Sequence, residues 1–595
     1  MVDYKAAPYK ISDIYSGGYS SFQPAQTSKY FPVGYFGMTT DPRSANILQE
    51  VSQKLLTGVK NIEIEALSQE IFDSIPKQHL KEVNRLAKLT GINVSLHGPL
   101  VDVAGFTRSG WSEIERKNAE KVIVDTLLRA KELNPDGNII VNFHSSQGIP
   151  GSVPLPPHER TEGREYKLIY AVNKETGELV KLEPEKKFFP GEGKVEEKEF
   201  SPEKRLEILN RESWSDNFSR ILLNLDRVNE IFEETKPFIL KYLDENGQLK
   251  IKDIRELPSE VERNAFRRFI LANKYLTEEI YSKQISNLFS KAYEYGTQEQ
   301  KEMLSSISNK ISKKLDNNKI NPFSLYEAIH DIVNELDSEN LTPKIFDSLD
   351  NFSLEKTSET FGNAAWQAYK QSKGKGLPIL TIENPPAGFA LSTGEELKEL
   401  VRKSREKFIE NAVKEGLSRE AAEKEAEKII GATWDVGHIN MLRKFGYKEE
   451  EIIKESEKIA PYLKHVHLSD NFGLEHTELP MGMGNVPIKE IMEKLGEKGF
   501  EAKKIIEAGN WWQHFRTPPF VETLEAMGSP IYSMEIGQYW NKIGSFYQGY
   551  SLGMEGAWLP QINYETFGAG FSMLPKELGG SRTGAGSRIS GRPME

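Results

Sequence analysis

Short apolar stretches recur along the chain, and nearly every one is followed by a segment with apolar residues at helical spacing. The stretches are VGYFGMTT (33–40), NIEIEAL (61–67), VSLHGP (94–99), NIIVNFHSS (138–146), LPILTIENP (377–385), IGATWDVGH (430–438), YLKHVHLSDN (462–471) and AKKIIEAGN (502–510). The spacing predicts helices over 76–91, 112–133, about 394–429, 448–461 and 487–498. Strands apolar on both faces, alternating with helices, predict a parallel sheet covered by those helices. There are about eight strands, all but one followed by a helix, in about 275 residues. That matches the ~250 residues of a (β/α)8 TIM barrel.

Between 151 and 370 the alternation stops. YKLIYAVNKETGELVKLEPE (166–185) reads as a hairpin about its KETGE turn. From Glu203 to about Asn363 the signal is helical, with an apolar stripe running from Leu206 and Leu209 through Trp214, Phe218, Ile221, Leu222, Leu225 and Val228 to Phe232. The predicted organisation is therefore an N-terminal extension (1–30), a barrel (31–150 and 371–525), a mostly helical insertion after strand 4 (151–370) and a C-terminal extension (526–595). The extension ends in GGSRTGAGSRISGRPME, whose composition predicts a disordered tail.

Composition narrows the chemistry. The 595 residues include no cysteine, so disulfides and thiolate metal sites are excluded. The 77 basic and 88 acidic residues give a formal charge of −11, which does not suit a non-specific grip on phosphate backbones. The insertion, with 40 acidic and 33 basic residues, is no basic module either. No apolar run is long enough to span a bilayer, and the N-terminus lacks the apolar core of a signal peptide, so a cytoplasmic location and no membrane partner are expected.

Of the ten histidines, His97, His144, His438 and His467 stand at or near the C-terminal ends of predicted strands, as do Glu383, Asp435 and Glu507. In a TIM barrel those ends share one face, where active sites sit. Each residue alone has an ordinary reading as a hydrogen-bonded or capping group. Together they crowd one pocket with groups that are costly to bury without a metal or mutual pairing. Imidazoles and carboxylates without thiolates suit a divalent ion, zinc first and manganese second. His476 and Glu478, two residues apart on a loop before PMGMGNVP, are equally readable as ligands or as a solvated pair. Asp470 and Asn471 are candidates to orient ligands, and Trp511, Trp512 and His514 to line the pocket mouth. His79, His158, His330 and His465 are read as helix, insertion or back-face residues.

The ordered motifs HGP, FHSSQG, TIENP, WDVGH, HVHLSD, EHTELPMGMG and IIEAG resemble the xylose isomerase-like barrel superfamily, and within it the apurinic endonuclease family 2 barrels typified by endonuclease IV. The likeness covers about 31–525 without the insertion. It implies His97 and His144 on a first ion, with Glu383 bridging to a second that Asp435, His467 and Glu507 complete. A third ion is implied at His438 with His476 and Glu478, although that pair departs from the family's Asp-x-His order. The resemblance thus implies one to three ions, with Glu383 and Glu507 as catalytic carboxylates.

Three functions follow. The first is a metal-dependent hydrolase of a nucleic-acid phosphodiester. The second is a sugar or sugar-phosphate isomerase or epimerase using only Glu383, Asp435, His467 and Glu507 on one ion. The third is a non-catalytic scaffold. The insertion would sit on the catalytic face and offers a surface for a protein partner.

Overall fold

The structure is a computed structural model describing residues 36–526, apart from 191–194, 244–249, 251–252, 317–321, 337–340, 509–510 and 516–517. The N-terminal extension and residues 527–595 of the C-terminal extension lie outside the described residues.

Eight parallel strands close into a barrel, neighbouring one another in chain order. They are β1 (Phe36–Thr39), β2 (Asn61–Glu65), β3 (Asn93–His97), β4 (Ile140–His144), β5 (Ile379–Glu383), β6 (Ile430–Asp435), β7 (Leu463–Leu468) and β8 (Lys503–Ile506). The fold is the TIM barrel that the alternation predicts. Register sets the site: Glu65 lies beside His97, His144 beside Glu383 and Asp435 beside His467. In-register partners of a parallel sheet project to the same side. These six side chains therefore form one ring inside the C-terminal rim.

Local chemistry fixes the surrounding helices. Helix Lys77–Thr90 buries Leu80, Val83 and Ala87 and stops at Gly91, whose φ of 67° is the left-handed cap that glycine adopts without strain. Helix Gly394–Lys414 starts in a capping box, with Thr393 and Glu396 each accepting from the other's backbone N–H. The single helix expected over 394–429 is two, because Gly416 takes a φ of 100° and Ser418 caps a new helix, Arg419–Ile429.

A second compact unit comprises Thr107–Ser112 and Ser152–Phe352. It contains the hairpin Tyr166–Asn173/Leu179–Leu182 and a further one, Glu185–Pro190/Val195–Phe200, which sequence reading left unassigned. Its helices enclose a core that includes Trp214, Phe218, Phe232, Phe266 and Phe269. The unit's two ends meet: Ser152 N–H donates to Asp350 Oδ1 at 3.2 Å.

The boundary at 370 is corrected by the structure. Helix Leu349–Gln371 runs from the insertion into the barrel unit, which resumes at Ser353. Its Phe361, Ala364 and Ala365 are buried, and Phe361 meets Phe143 of β4 with ring centres 6.4 Å apart. This helix follows β4 in the barrel unit, and each of the eight strands is followed by a helix. Among the described residues no helix is long and apolar enough to cross a membrane.

Candidate metal centre

Glu383, at the end of β5, lies at the middle of the ring and is 1% exposed. Its Oε2 faces His97 Nε2 at 3.4 Å and His144 Nε2 at 3.6 Å, and accepts a short hydrogen bond from Asn142 Nδ2. Its Oε1 faces His467 Nδ1 at 3.0 Å and His438 Nδ1 at 3.7 Å. Two ligand sets thus share one carboxylate. The donor atoms of His97, His144 and Glu383 lie within 4.8 Å of one another, as do those of Glu383, Asp435, His467 and Glu507.

Asp435 does two jobs. It caps the short helix Val436–Asn440, accepting from His438 N–H at 2.7 Å, and it also accepts from Ser469 Oγ at 3.1 Å. A Cβ at Gly437 would run into that same Ser469 Oγ, so the WDVGH turn needs glycine there. His438 follows on the helix and is held by its Nδ1, which lies 2.7 Å from the Asn384 carbonyl. With that nitrogen donating, Nε2 is left to bind, and it meets His476 Nε2 at 2.9 Å. His97 is fixed in the same way, its Nδ1 3.0 Å from the Gly98 carbonyl.

The loop that brings His476 is stapled by Asp470. Its carboxylate accepts from the backbone N–H groups of Gly482, Gly484 and Val486 at 2.8, 2.9 and 3.0 Å. Asn471 ties the loop to the other side by donating to the Gly437 carbonyl at 2.8 Å. Glu478 borders the cavity but stands 3.7 Å from His476. Among the described residues it joins no group of three ligand atoms. A cavity of about 620 Å³ opens above the ring, lined by His97, His144, His438, His476 and Glu507 together with Trp511 and Trp512. The side chain of His514 lies outside those described.

Sequence reasoning missed three members. His465 is not a back-face residue: it is fully buried inside the barrel, with Nε2 3.0 Å from Glu63 Oε2. Glu63 and Glu65 of β2 point inward as well, and both group with Glu507. The spacing carries the signal, since NIEIE and HVH each place two ionisable side chains on one strand face.

Electrostatics divides these groups. Burial opposes the charge on His97, but Glu383, Glu65 and Glu63 outweigh it and lift its pKa to about 10. His467 is likewise raised well above the usual imidazole range, with Glu383 and Glu507 overcoming burial. Burial takes His144 down to about 3, so its approach to Glu383 is that of a neutral ring and not an ion pair. Burial would raise Glu383, yet the charge on His467 holds it well below the carboxylate range. Glu507 is pushed well above it by burial, with Glu383 and Asp435 adding to the effect. Buried imidazoles facing carboxylates, with no thiolate among them, are a donor set that fits a divalent metal ion.

Residues 379–527 match the family model described as xylose isomerase-like TIM barrel. That superfamily includes epimerases, isomerases and endonuclease IV-like members. An uncharacterized protein of Methanocaldococcus jannaschii is 34% identical over 83 residues, which are 14% of this chain and 27% of that protein. The chain thus spans about a quarter of that relative's length. A crystal structure of a D-tagatose 3-epimerase-like protein superposes with a TM-score of 0.34 at 14% identity, covering 84% of this chain and 98% of the other. The matched segment begins at β5 and contains Glu383, Asp435, His438, His467, His476 and Glu507.

Proposed function

We propose that this chain is a divalent-metal-dependent hydrolase of the endonuclease IV kind, acting on a phosphodiester through a multi-ion His/Asp/Glu site. The observation that carries the reading is the division of Glu383, with one oxygen toward His97 and His144 and the other toward His467 and His438. A single-ion isomerase gives no metal-binding role to His97, His144 and His438, whose imidazoles would instead hydrogen-bond sugar hydroxyls. His97, His144 and Glu383 would hold one ion, and Glu383, Asp435, His467 and Glu507 another, zinc in preference to manganese. His438 with His476 extends the set toward a third.

Divalent ions supply an activated water at neutral pH and stabilise a leaving oxygen. The chain's own residues set the geometry. Asn142 orients Glu383, the Asn384 and Gly98 carbonyls fix two imidazole tautomers, and Trp511 and Trp512 wall the cavity. Arg43 and Lys54 are the basic side chains lining that cavity, where a phosphoryl group would be welcome.

One observation favours the second reading, a sugar isomerase or epimerase. Glu383 and Glu507 both approach His467 Nδ1 at 3.0 Å, a carboxylate pair suited to proton transfer. The test is to strip the protein, reload it with zinc or manganese, and assay an abasic oligonucleotide and bis(p-nitrophenyl) phosphate against a ketose panel. Metal-restored phosphodiester cleavage is expected. Epimerisation without cleavage would select the isomerase, and neither activity in a fully loaded protein would leave the scaffold.

A further inference from the structure

His467 is approached by carboxylates at both ring nitrogens. Nδ1 lies 3.0 Å from Glu383 and 3.0 Å from Glu507, while Nε2 lies 2.9 Å from Glu63 Oε1. Nδ1 faces the shared metal group; Nε2 faces the barrel interior. A ring that binds metal through Nδ1 keeps one N–H, at Nε2, and here that N–H is completely buried. A buried donor with no acceptor is costly, because its lost hydration is not replaced.

Glu63 Oε1 is within hydrogen-bond distance of it, and neither atom has another hydrogen-bond partner. As the ring sits, the N–H points off the line between them, so the contact is an ion-pair distance. The acceptor is itself anchored: Glu63 Oε2 accepts from His465 Nε2 at 3.0 Å. His465 stands two residues before His467 on β7, so a single strand supplies both the ligand and the ring that steadies its acceptor. Glu63, His465 and His467 are all fully buried.

We propose that Glu63 is a positioning residue for the metal centre: its carboxylate fixes the tautomer and the orientation of His467, and His465 fixes Glu63. Partners of this kind raise ligand basicity, and losing one typically weakens metal binding by roughly 10–100-fold. The inference rests on the metal-site reading above and is independent of the substrate.

The test is a zinc titration, against a chromophoric chelator at pH 7.5, of the stripped full-length protein and its Glu63→Gln, Glu63→Asp and His465→Gln variants, with melting of the stripped forms as the fold control. In Glu63→Gln one zinc equivalent is expected to weaken by roughly 10–100-fold with the other equivalents unchanged. Glu63→Asp, which withdraws the oxygen by one methylene, should show the same single weakening and replaces Glu63→Gln should that variant fail to fold. His465→Gln should keep the zinc count. Unchanged affinities in a folded Glu63 variant would overturn the proposal. A zinc count lowered by one in His465→Gln would also overturn it, making Glu63 and His465 ligands of an ion of their own. Wild-type protein that binds no zinc would end the metal-site reading and this inference together.

Discussion

Glu383 is where the two candidate ligand sets meet, so a change there acts on both. Glu383→Gln keeps the shape and one oxygen but removes the charge that faces His97 and His467. Zinc stoichiometry should fall by at least one and metal-dependent phosphodiesterase kcat by at least ~10²-fold, a range that follows from losing several kcal/mol of electrostatic stabilisation. The metal-free variant should lose about 1–3 kcal/mol of stability, the cost of leaving buried partners unsatisfied. Unaltered zinc content by elemental analysis would remove Glu383 from the centre.

The same ring predicts how metal-free protein responds to pH. An unfolded imidazole titrates near 6.5. His97, at about 10 in the fold, contributes stability that is complete below ~6.5 and is lost as pH rises toward 10. His144, at about 3, has the opposite sign: its contribution is present above ~6.5 and is lost as pH falls toward 3. The melting temperature of stripped protein should therefore fall on both sides of neutrality. His97→Gln should flatten the alkaline limb and His144→Gln the acid limb. Equal limbs in both variants would refute the assignment. The candidates at strand ends were legible because each closes an apolar run. Glu63 and His465 were less visible, because they lie one alternation below the rim, and Glu65, though it ends β2, was less visible because an alternating NIEIE pattern looks like an ordinary half-exposed strand.

At the level of elements, the helix Leu349–Gln371 separates what can be removed from what cannot. Deleting 152–352 and joining the ends by a short linker should leave a folded barrel, since Ser152 and Asp350 already touch. Deleting 151–370 also removes Phe361, Ala364 and Ala365, and the product should not melt cooperatively. Circular dichroism and thermal melts of the two deletions check this, and equal melting would refute the barrel role of the helix. The barrel strands and most of their helices could be read from periodicity. This boundary could not, because a helix that leaves one unit and enters another shows no break in its pattern. Gly416 was readable in principle, as a glycine inside a charged run.

For the whole molecule, the net charge of −11 sets the terms on which the proposed phosphodiester substrate would associate. A basic nucleic-acid binder loses roughly 10³–10⁵ in affinity between 50 and 200 mM salt. Here KM for an oligonucleotide should change by less than ~10-fold over that range, because a chain of net acidic charge is not built to neutralise many phosphates. A steep salt dependence in steady-state assays would reveal a basic groove that the composition conceals. One further consequence lies in synthesis. β4 and β5 are hydrogen-bonded neighbours, yet about 230 residues separate them along the chain. At ~5–20 residues per second, the open edge of β4 waits roughly 10–50 s on the ribosome for its partner. Over those seconds the insertion emerges, and Ser152 and Asp350, which stand near the two ends of its long segment, lie within hydrogen-bond distance of each other.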